Sequence, residues 1–326
     1  MRSMLVRHES WPLRGVFAIS RGARSAAEVV VAEVRDGTHV GRGECVPYPR
    51  YGESLAAVMA LLEAQADAVR HGLDRAALQT RLPPGAARNA LDCALWDLEA
   101  KLRGRRVWEL AGLEAPPPVV TAYTISLGTP AAMAEAAGAA RQYPLLKLKL
   151  GGEGDEERVA AVRDAVPDAR LIVDANEAWP ADRLGERLAA MAGLGVELVE
   201  QPLPAAADTA LADVPHAVPV CADESCHTAA DVPTLVGRYD VVNVKLDKAG
   251  GLTEALRVVD AARTHGLGLM VGTMMGTSLL MAPAMLLASA ARWVDLDGSL
   301  WVAEDRPHGL WWVDGRLQPP QPALWG

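Results

Sequence analysis

Two lysines stand one residue apart in the apolar stretch YPLLKLKLGG, which spans residues 143–152. Side chains alternate between the two faces of a strand, so Lys147 and Lys149 share one face while their leucine neighbours point the other way. A solvent-exposed face would explain the pair, because most lysines end in water. Alternatively, each ammonium lowers the pKa of the other towards the range in which a lysine acts as a base. The pair alone leaves both interpretations open.

Three carboxylates follow, each at the end of a short apolar run: Asp174 in IVDANEAW, Glu200 in LVEQPLP and Asp223 in CADES. Lys245 ends the next run, in NVKLDKAGG, and 22 to 26 residues separate consecutive members from Lys149 onwards. Taken singly, each acid could cap a helix or lie in a loop. Three consecutive carboxylates that converge would repel one another, so the pattern predicts a cation among them.

An all-oxygen site with room for water and a substrate oxygen is typical of Mg²⁺, with Mn²⁺ as a substitute. Zinc would prefer histidine or cysteine ligands. The cysteines show neither a CxxC motif nor a dense framework, so we expect reduced thiols and no structural zinc. They are Cys45, Cys93, Cys221 and Cys226.

The composition argues against several classes of protein. Of the 326 residues, 50% are hydrophobic and 22% are charged. No apolar run reaches the roughly 18 residues of a membrane span, and charges near the start interrupt any secretory signal. The net charge of −9, without a basic cluster, argues against a nucleic-acid surface. We therefore expect a cytoplasmic protein with a small-molecule partner, no nucleic acid and no membrane; a homo-oligomer is compatible with the sequence.

The elements that must position these residues change character at the prolines 116–118. Before them, the strand-like run AEVVVAEV precedes helix-like stretches such as AARNALDCALWDLEAKLRG, which indicates an α+β domain over residues 1–113. After them, eight short apolar runs alternate with helical segments, as a β/α barrel requires. A doubly wound sheet is the alternative, but it usually has fewer strands, and the chain has neither GxGxxG after the first strand nor GxxxxGKS/T. In a barrel, the residues that end the strands lie together at one face.

The motifs KLKLG, VDANEAW, VEQPLP, CADES, VNVKLDKAGG and VDLDG, in this order, resemble the enolase superfamily. Within it, they resemble the muconate-lactonizing subgroup and its dipeptide epimerases. The resemblance covers nearly the whole chain and implies an α/β protein with three parts. These are an N-terminal α+β capping domain over 1–113, a modified (β/α)7β TIM-type barrel over 119–299, and a tail over 300–326 that packs back on the cap.

The same resemblance implies the roles of the charged residues. Asp174, Glu200 and Asp223 would bind Mg²⁺, while Lys149 and Lys245 would be the acid/base pair, with Lys147 as the neighbour that tunes Lys149. Removing the proton next to a carboxylate gives an enediolate, whose extra charge requires direct stabilisation by a cation. Lysines on opposite sides of the barrel mouth could take the proton from one face and return one to the other. This 1,1-proton transfer inverts the α-carbon.

Substrate choice depends on Asp295 and Asp297 in VDLDG. In the dipeptide epimerases that this chain resembles, such a pair holds the free α-ammonium of a dipeptide. From the local pattern alone, Asp297 could instead belong to a simple turn. Arg24 could pair with a glutamate side chain, as in L-Ala-D/L-Glu dipeptides, and Met274 could line the pocket or fill the core. Further candidates in the cap are Arg21, Tyr48 and Tyr51.

Two other functions stay open from the sequence. A lyase or cycloisomerase of the same subgroup, such as an o-succinylbenzoate synthase, would have no ammonium to hold, so an acid pair would be costly to it. A non-catalytic barrel that binds a metal would not need both Lys149 and Lys245. The sequence therefore favours the dipeptide epimerase.

Overall fold

An antiparallel sheet with helices packed on it forms the N-terminal part of the molecule, in a computed structural model that describes residues 1–326. Its strands, hydrogen-bonded in chain order, are β1 (Ser3–Ile19), β2 (Gly22–Asp36) and β3 (His39–Cys45). A 3₁₀ turn at Pro49–Tyr51 leads into the helices α1 (Leu55–Glu63), α2 (Ala66–Arg70), α3 (Arg75–Arg81), α4 (Ala86–Arg103) and α5 (Val107–Leu110).

The longest of these helices, α4, lies directly against β3. A Cβ atom built on Gly41 would lie 2.1 Å from the carbonyl oxygen of Ala94, and one built on Gly43 would lie 2.1 Å from that of Ala90. Real side chains do not fit at such distances, so the two glycines of HVGRGEC allow the helix to approach the sheet. The sheet and its helices enclose a core of 17 buried residues.

Eight parallel strands form the barrel. After β4 (Val119–Val120), they are β5 (Tyr123–Ile125), β6 (Leu145–Lys149), β7 (Arg170–Asp174), β8 (Val196–Glu200), β9 (Val220–Ala222), β10 (Val241–Lys245), β11 (Gly268–Gly272) and β12 (Trp293–Asp295). They pair in the order β5 to β12, and a 2.7 Å bond from the Ala122 amide to the Val294 carbonyl joins the two ends. The predicted α/β fold class, a TIM-type barrel with an N-terminal α+β domain, is confirmed.

Helices and 3₁₀ segments connect the strands. The helices are α6 (Pro130–Ala139), α7 (Asp155–Ala165), α8 (Leu184–Gly193), α9 (Val232–Leu235), α10 (Leu246–Ala249), α11 (Leu252–Thr264), α12 (Ser278–Ala284) and α13 (Gly298–Trp301). The 3₁₀ segments are Ala181–Arg183, Ala205–Asp213 and Met285–Ala290. The link between β8 and β9 is therefore a short 3₁₀ segment rather than an α-helix.

An apolar layer fills the barrel at the amino-terminal ends of its strands. Leu145 belongs to this layer, and the alternation of β6 then points Lys147 and Lys149 into the barrel above it. Leu146 and Leu148 pack outwards in the main core. A solvent-exposed face for the two lysines is therefore wrong. The other members of the layer are Ala122, Ile172, Leu198, Cys221, Val241, Met270 and Trp293.

The C-terminal residues run back over both parts of the molecule. The hairpin of β13 (Trp312–Val313) and β14 (Arg316–Leu317) pairs with β4. The Trp325 indole donates to the Cys93 carbonyl at 3.1 Å, on α4. The boundaries at 113, 119 and 300 stay predictions. In all this, no helix is long and apolar enough to cross a membrane.

Candidate active site

A cavity of about 500 Å³ lies at the carboxyl ends of the barrel strands. Two segments of the N-terminal domain cover it, one within residues 17–24 and one at 48–51. Most of the charged residues predicted from the strand ends line its floor or lie directly beneath it. Those that line it are Lys147, Lys149, Asp223, Lys245, Asp295 and Asp297.

The ammonium of Lys147 is surrounded by carboxylates. Its Nζ lies 2.6 Å from Glu200 Oε2, 2.7 Å from Asp295 Oδ2 and 3.3 Å from Asp174 Oδ2. Burial would lower the pKa of Lys147, but these three charges outweigh burial and raise its pKa well above the ordinary value. Lys147 is therefore a fixed positive charge among the carboxylates that end β7, β8 and β12.

Lys149 and Lys245 face each other across the barrel mouth, with β7, β8 and β9 between their strands. Lys149 Nζ donates to Asp174 Oδ2 at 2.6 Å, and Lys245 Nζ donates to Asp223 Oδ2 at 2.7 Å. The sequence suggested that Lys147 and Lys149 lower each other's pKa, and for Lys147 this is wrong, because the carboxylates around it raise its pKa. Burial lowers the pKa of Lys245 as well, but Asp223 and then Glu200 raise it above the ordinary value.

The three predicted metal ligands end neighbouring strands. Asp174 and Glu200 are directly paired in the register of β7 and β8, and Asp223 lies one residue beyond β9. All three are at most 2% exposed. Burial would raise the pKa of Asp174, but Lys149 and Lys147 hold it below its usual range.

Glu200 differs from its neighbours. Burial, and then the charge of Asp174, raise its pKa. Its Oε1 accepts a 2.8 Å hydrogen bond from the Asn243 side-chain amide, and its buried Oε2 lies 2.6 Å from Lys147 Nζ. Carboxylate oxygens are the ligands that a hard cation prefers.

The donor set fits Mg²⁺ in its chemistry, because it consists only of carboxylate oxygens on adjacent strands. As the side chains are placed, no three His, Cys, Asp or Glu groups are arranged to hold an ion. The ammonium groups of Lys147, Lys149 and Lys245 instead lie against the carboxylates. Ion binding therefore requires the carboxylates to exchange at least one ammonium contact for the ion.

The two acids of VDLDG lie side by side in the cavity wall. Asp297 Oδ2 accepts a 2.6 Å bond from the Thr124 amide, which fixes its carboxylate. Burial and the charge of Asp295 raise the pKa of Asp297 to about 6. Asp295 Oδ1 is buried without a hydrogen-bond partner. A ligand cation would relieve both this repulsion and the missing partner.

Of the remaining predicted cap and pocket residues, some face the cavity without a charged partner and one is already paired within the protein. Arg24 lines the cavity, and its guanidinium lies 5.3 Å from the centre of the Tyr48 ring without an ion pair to a carboxylate. Met274 also lines the cavity. Arg21, by contrast, is already bound to Glu224 at 2.8 Å. Arg24 is therefore the guanidinium that a ligand could meet.

One lysine of the site escapes the sequence pattern. Lys248 is 1% exposed, and its Nζ donates to Asp223 Oδ1 at 2.6 Å and to the Asn243 carbonyl at 3.0 Å. In the sequence, Lys248 precedes a helix together with Gly250 and Gly251, where the three could cradle a phosphate, although a strand-to-helix turn explains the glycines equally well. Its position three residues after Lys245, one turn of α10 further on, is the only local signal that both reach the same carboxylate.

Two family models match the chain over nearly its full length. Residues 1–112 match the mandelate racemase/muconate lactonizing enzyme N-terminal domain, and residues 131–323 match the enolase C-terminal domain-like family.

The curated relatives include two activities. The L-Ala-D/L-Glu epimerase of Escherichia coli strain K12 is 49% identical over 97% of this chain and 99% of its own. The N-acetyl-D-glutamate racemase of a Pseudoalteromonas species is 45% identical over 91% of this chain and 95% of its own.

Solved structures similar to this chain also include dipeptide epimerases. An enolase family member from Agrobacterium tumefaciens with homology to dipeptide epimerases, with bound sodium and L-Ala-L-Glu, has a TM-score of 0.98 and 51% identity, covering 100% of both chains. The dipeptide epimerase of Cytophaga hutchinsonii, complexed with Mg and D-Ala-L-Val, has a TM-score of 0.90 and 25% identity, covering 98% of this chain and 93% of its own.

Proposed function

Because the chain belongs to the mandelate racemase/muconate lactonizing enzyme family of the enolase superfamily, we propose that it is a dipeptide epimerase, an isomerase that inverts an α-carbon. One observation carries the proposal: two lysines face one cavity from opposite sides, and that cavity also holds a buried acid pair. Identities of 49% to an L-Ala-D/L-Glu epimerase and 51% to a chain with bound L-Ala-L-Glu support it.

Lys149 and Lys245 are the proposed acid/base pair. In one direction, one lysine as a neutral amine takes the α-proton from its face of the substrate and becomes an ammonium. The electron pair left behind is delocalised into the neighbouring carboxylate as an enediolate. The opposite lysine, already an ammonium, then donates a proton to the other face of the same carbon. The reverse direction exchanges the two roles.

Asp174, Glu200 and Asp223 are the proposed ligands of Mg²⁺, with Mn²⁺ as a substitute. When bound, the ion would stabilise the second negative charge on the substrate carboxylate and offset the charges of Asp223 and Glu200 that raise the pKa of Lys245. Lys147, between Glu200 and Asp295, would supply a fixed positive charge next to the proposed metal ligands. Its effect on the pKa of Lys149 stays a prediction.

The proposed substrate class is an Ala-Glu-like dipeptide. Asp295 and Asp297 would hold the free α-ammonium, because their burial and mutual repulsion favour a cation there. Arg24 would pair with the glutamate side chain, and Met274 would contact the apolar part of the dipeptide. The relative named as an N-acetyl-D-glutamate racemase makes an N-acylated amino acid the second candidate. Against that candidate stands the charge of the acid pair: an amide N–H could donate to the unpartnered Asp295 oxygen, but it brings no positive charge to offset the repulsion between Asp295 and Asp297.

The test is proton exchange in D₂O followed by NMR, with the enzyme supplied with Mg²⁺. We expect deuterium at the glutamate α-carbon of L-Ala-L-Glu and appearance of L-Ala-D-Glu. N-acetyl-L-glutamate and N-acetyl-L-Ala-L-Glu should exchange at least about a hundredfold more slowly, since neither has the free α-ammonium that would pair with Asp297. A chelator should abolish exchange, and added Mg²⁺ should restore it.

If N-acetyl-glutamate exchanged its α-proton faster than the dipeptide, the proposed function would change from a dipeptide epimerase to an acylamino-acid racemase. Dehydration of a precursor to o-succinylbenzoate, or cyclisation of a muconate, without exchange in any dipeptide, would favour the lyase or cycloisomerase branch.

A further inference from the structure

The loop after β7 contains two neighbouring residues in an unfavourable backbone conformation. Asn176 and Glu177 have φ angles of +45° and +68°, the left-handed region that non-glycine residues rarely adopt. Hydrogen bonds hold both residues there: the Asn176 amide donates to Asp174 Oδ1 at 2.9 Å, and the Glu177 amide donates to the Gln201 carbonyl at 2.9 Å. Since strain of this kind persists only where the surroundings enforce it, the position of these two residues needs a reason.

The conformation places the Glu177 carboxylate where two arginines of the N-terminal domain meet. Arg50 binds it with two bonds, 2.8 Å from Nε to Oε2 and 2.7 Å from Nη2 to Oε1. Arg21 Nη1 lies 3.3 Å from Oε2, and the Ala205 amide donates to Oε1 at 2.8 Å. The Glu177 side chain is 10% exposed, whereas that of Arg50 is 39% exposed, so the carboxylate is shielded while its arginine partner reaches the surface. Paired arginine bonds of this kind are strong and directional.

The two arginines come from different covering segments of the cavity. Arg21 lies in the segment 17–24, between β1 and β2, and Arg50 lies in the segment 48–51, before α1. The Asn176 carbonyl adds a second contact to the first segment, because it accepts from Arg21 Nη1 at 3.0 Å. Both segments line the cavity opposite the barrel residues, yet only this loop of the barrel bonds to both of them through one carboxylate.

We propose that Glu177 is a positioning residue that holds both cap segments closed over the cavity. The residue touches neither the lysines nor the carboxylates beneath, so it acts through Arg21 and Arg50. By fixing the segment that carries Arg24, it also fixes the guanidinium that faces the ligand. Holding the cap closed does not depend on the proposed reaction; only the kinetic consequence rests on the proposed function.

The first test measures the closed cap directly, without substrate. In Glu177→Gln the charge is lost while the shape is kept, and amide hydrogen exchange in residues 17–24 and 48–52 should become about tenfold faster than in the wild type. The matched control is Glu197→Gln. Glu197 also binds an arginine through two bonds, with Arg170 at 2.8 Å and 2.7 Å, but at the amino-terminal ends of β7 and β8. The control should leave exchange in both cap segments unchanged.

A second variant approaches the same contact from the cap. Arg50→Gln removes the doubly bonded arginine from a partly exposed position, so it tests the proposal even if Glu177→Gln folds poorly. It should accelerate exchange in residues 48–52, which lose their two bonds to Glu177, and change exchange in residues 17–24 less, because Arg21 keeps its own contacts with Glu177 and Glu224. Unchanged exchange in the two cap segments of folded Glu177→Gln and Arg50→Gln would overturn the proposal.

The kinetic test separates positioning from chemistry. With L-Ala-L-Glu, Glu177→Gln should raise KM about tenfold and change kcat by less than about threefold, because a loose cap weakens binding before it alters the proton transfer. A fall in kcat at unchanged KM would instead place Glu177 in the chemical step. If the wild type epimerises no dipeptide, the proposed function fails, whereas the exchange rates of the cap segments still decide the role of Glu177.

Discussion

The lysines at the barrel mouth differ in how many acceptors surround each ammonium, and this count separates their roles. An ammonium has three hydrogens to donate. Lys147 has three carboxylates within 3.3 Å, and Lys248 donates to three oxygens, so neither has a proton left for a ligand. Lys149 donates to one carboxylate only, and Lys245 has one close carboxylate at 2.7 Å. The two lysines with spare hydrogens are the proposed acid and base.

If Lys149 and Lys245 serve opposite faces of one α-carbon, replacing either by alanine should stop epimerisation in both directions, by at least about a thousandfold. Each single variant should still exchange the α-proton of the one epimer that its remaining lysine faces. The measurement is deuterium incorporation into the separate L-Ala-L-Glu and L-Ala-D-Glu epimers by NMR, and the two variants act as controls for each other. Near-normal epimerisation by Lys245→Ala would make Lys245 an electrostatic spectator.

At the scale of single residues, the sequence predicted those that end strands and missed those that act from turns. Asp174, Glu200 and Lys245 were predictable because each ends an apolar run at a regular interval. Lys248 and Glu177 were not, since their partners lie 25 and 127 residues away along the chain and only the folded molecule brings them together.

At the scale of elements, the apolar strands of the barrel were predictable, and the edge of the N-terminal sheet was not. The run AEVVVAEV lies within β2, whose residues 29–34 are all buried. β1 alternates between exposed and half-buried residues, carries Pro12 and shifts register between Pro12 and Phe17. Such an edge strand has no apolar run, so periodicity alone does not reveal it.

The contact between β3 and α4 depends on two glycines, and this can be tested. In Gly43→Ala, the new Cβ would meet the Ala90 carbonyl at 2.1 Å, so the helix must move away from the sheet. We expect the free energy of unfolding to fall by about 3 kcal/mol, measured by denaturant titration. Gly15→Ala is the control, since no atom lies within 4 Å of its Cβ, and its effect should stay within about 0.5 kcal/mol. Equal effects of the two substitutions would contradict a tight helix–sheet contact at Gly43.

At the scale of the whole molecule, the N-terminal domain and the barrel meet through buried polar groups beside Lys245, one of the two lysines proposed as acid and base. Asp247, in α10, accepts hydrogen bonds from the Asn89 side chain of α4 at 2.8 Å and from the Val46 amide at 3.2 Å. It lies two residues after Lys245, so the contact that joins the domains continues directly into the site. Burial raises the pKa of Asp247 to about 8.

Because of this raised pKa, the free energy of unfolding should depend on pH through Asp247 at the contact between the domains. Between about pH 4 and pH 8, folded Asp247 keeps a proton that the unfolded chain has released, so the folded state binds more protons and the free energy of unfolding falls as pH rises through this window. Above about pH 8 both states are ionised, and this contribution becomes constant.

Asp247→Asn should remove that dependence. A neutral amide keeps an oxygen for Asn89 and Val46 and offers an N–H where the protonated carboxyl has its O–H, so no buried group loses a partner. Thermal unfolding followed from pH 4 to pH 9 should show the Tm of the variant rising relative to the wild type, by several degrees in total, until about pH 8 and then levelling off. Asp231→Asn is a suitable control, because Asp231 caps the turn at His227 and Thr228 away from the junction. A Tm difference between Asp247→Asn and the wild type that does not change with pH would mean that Asp247 is ionised in the folded protein. The two domains would then be joined through a buried carboxylate rather than through a protonated carboxyl group.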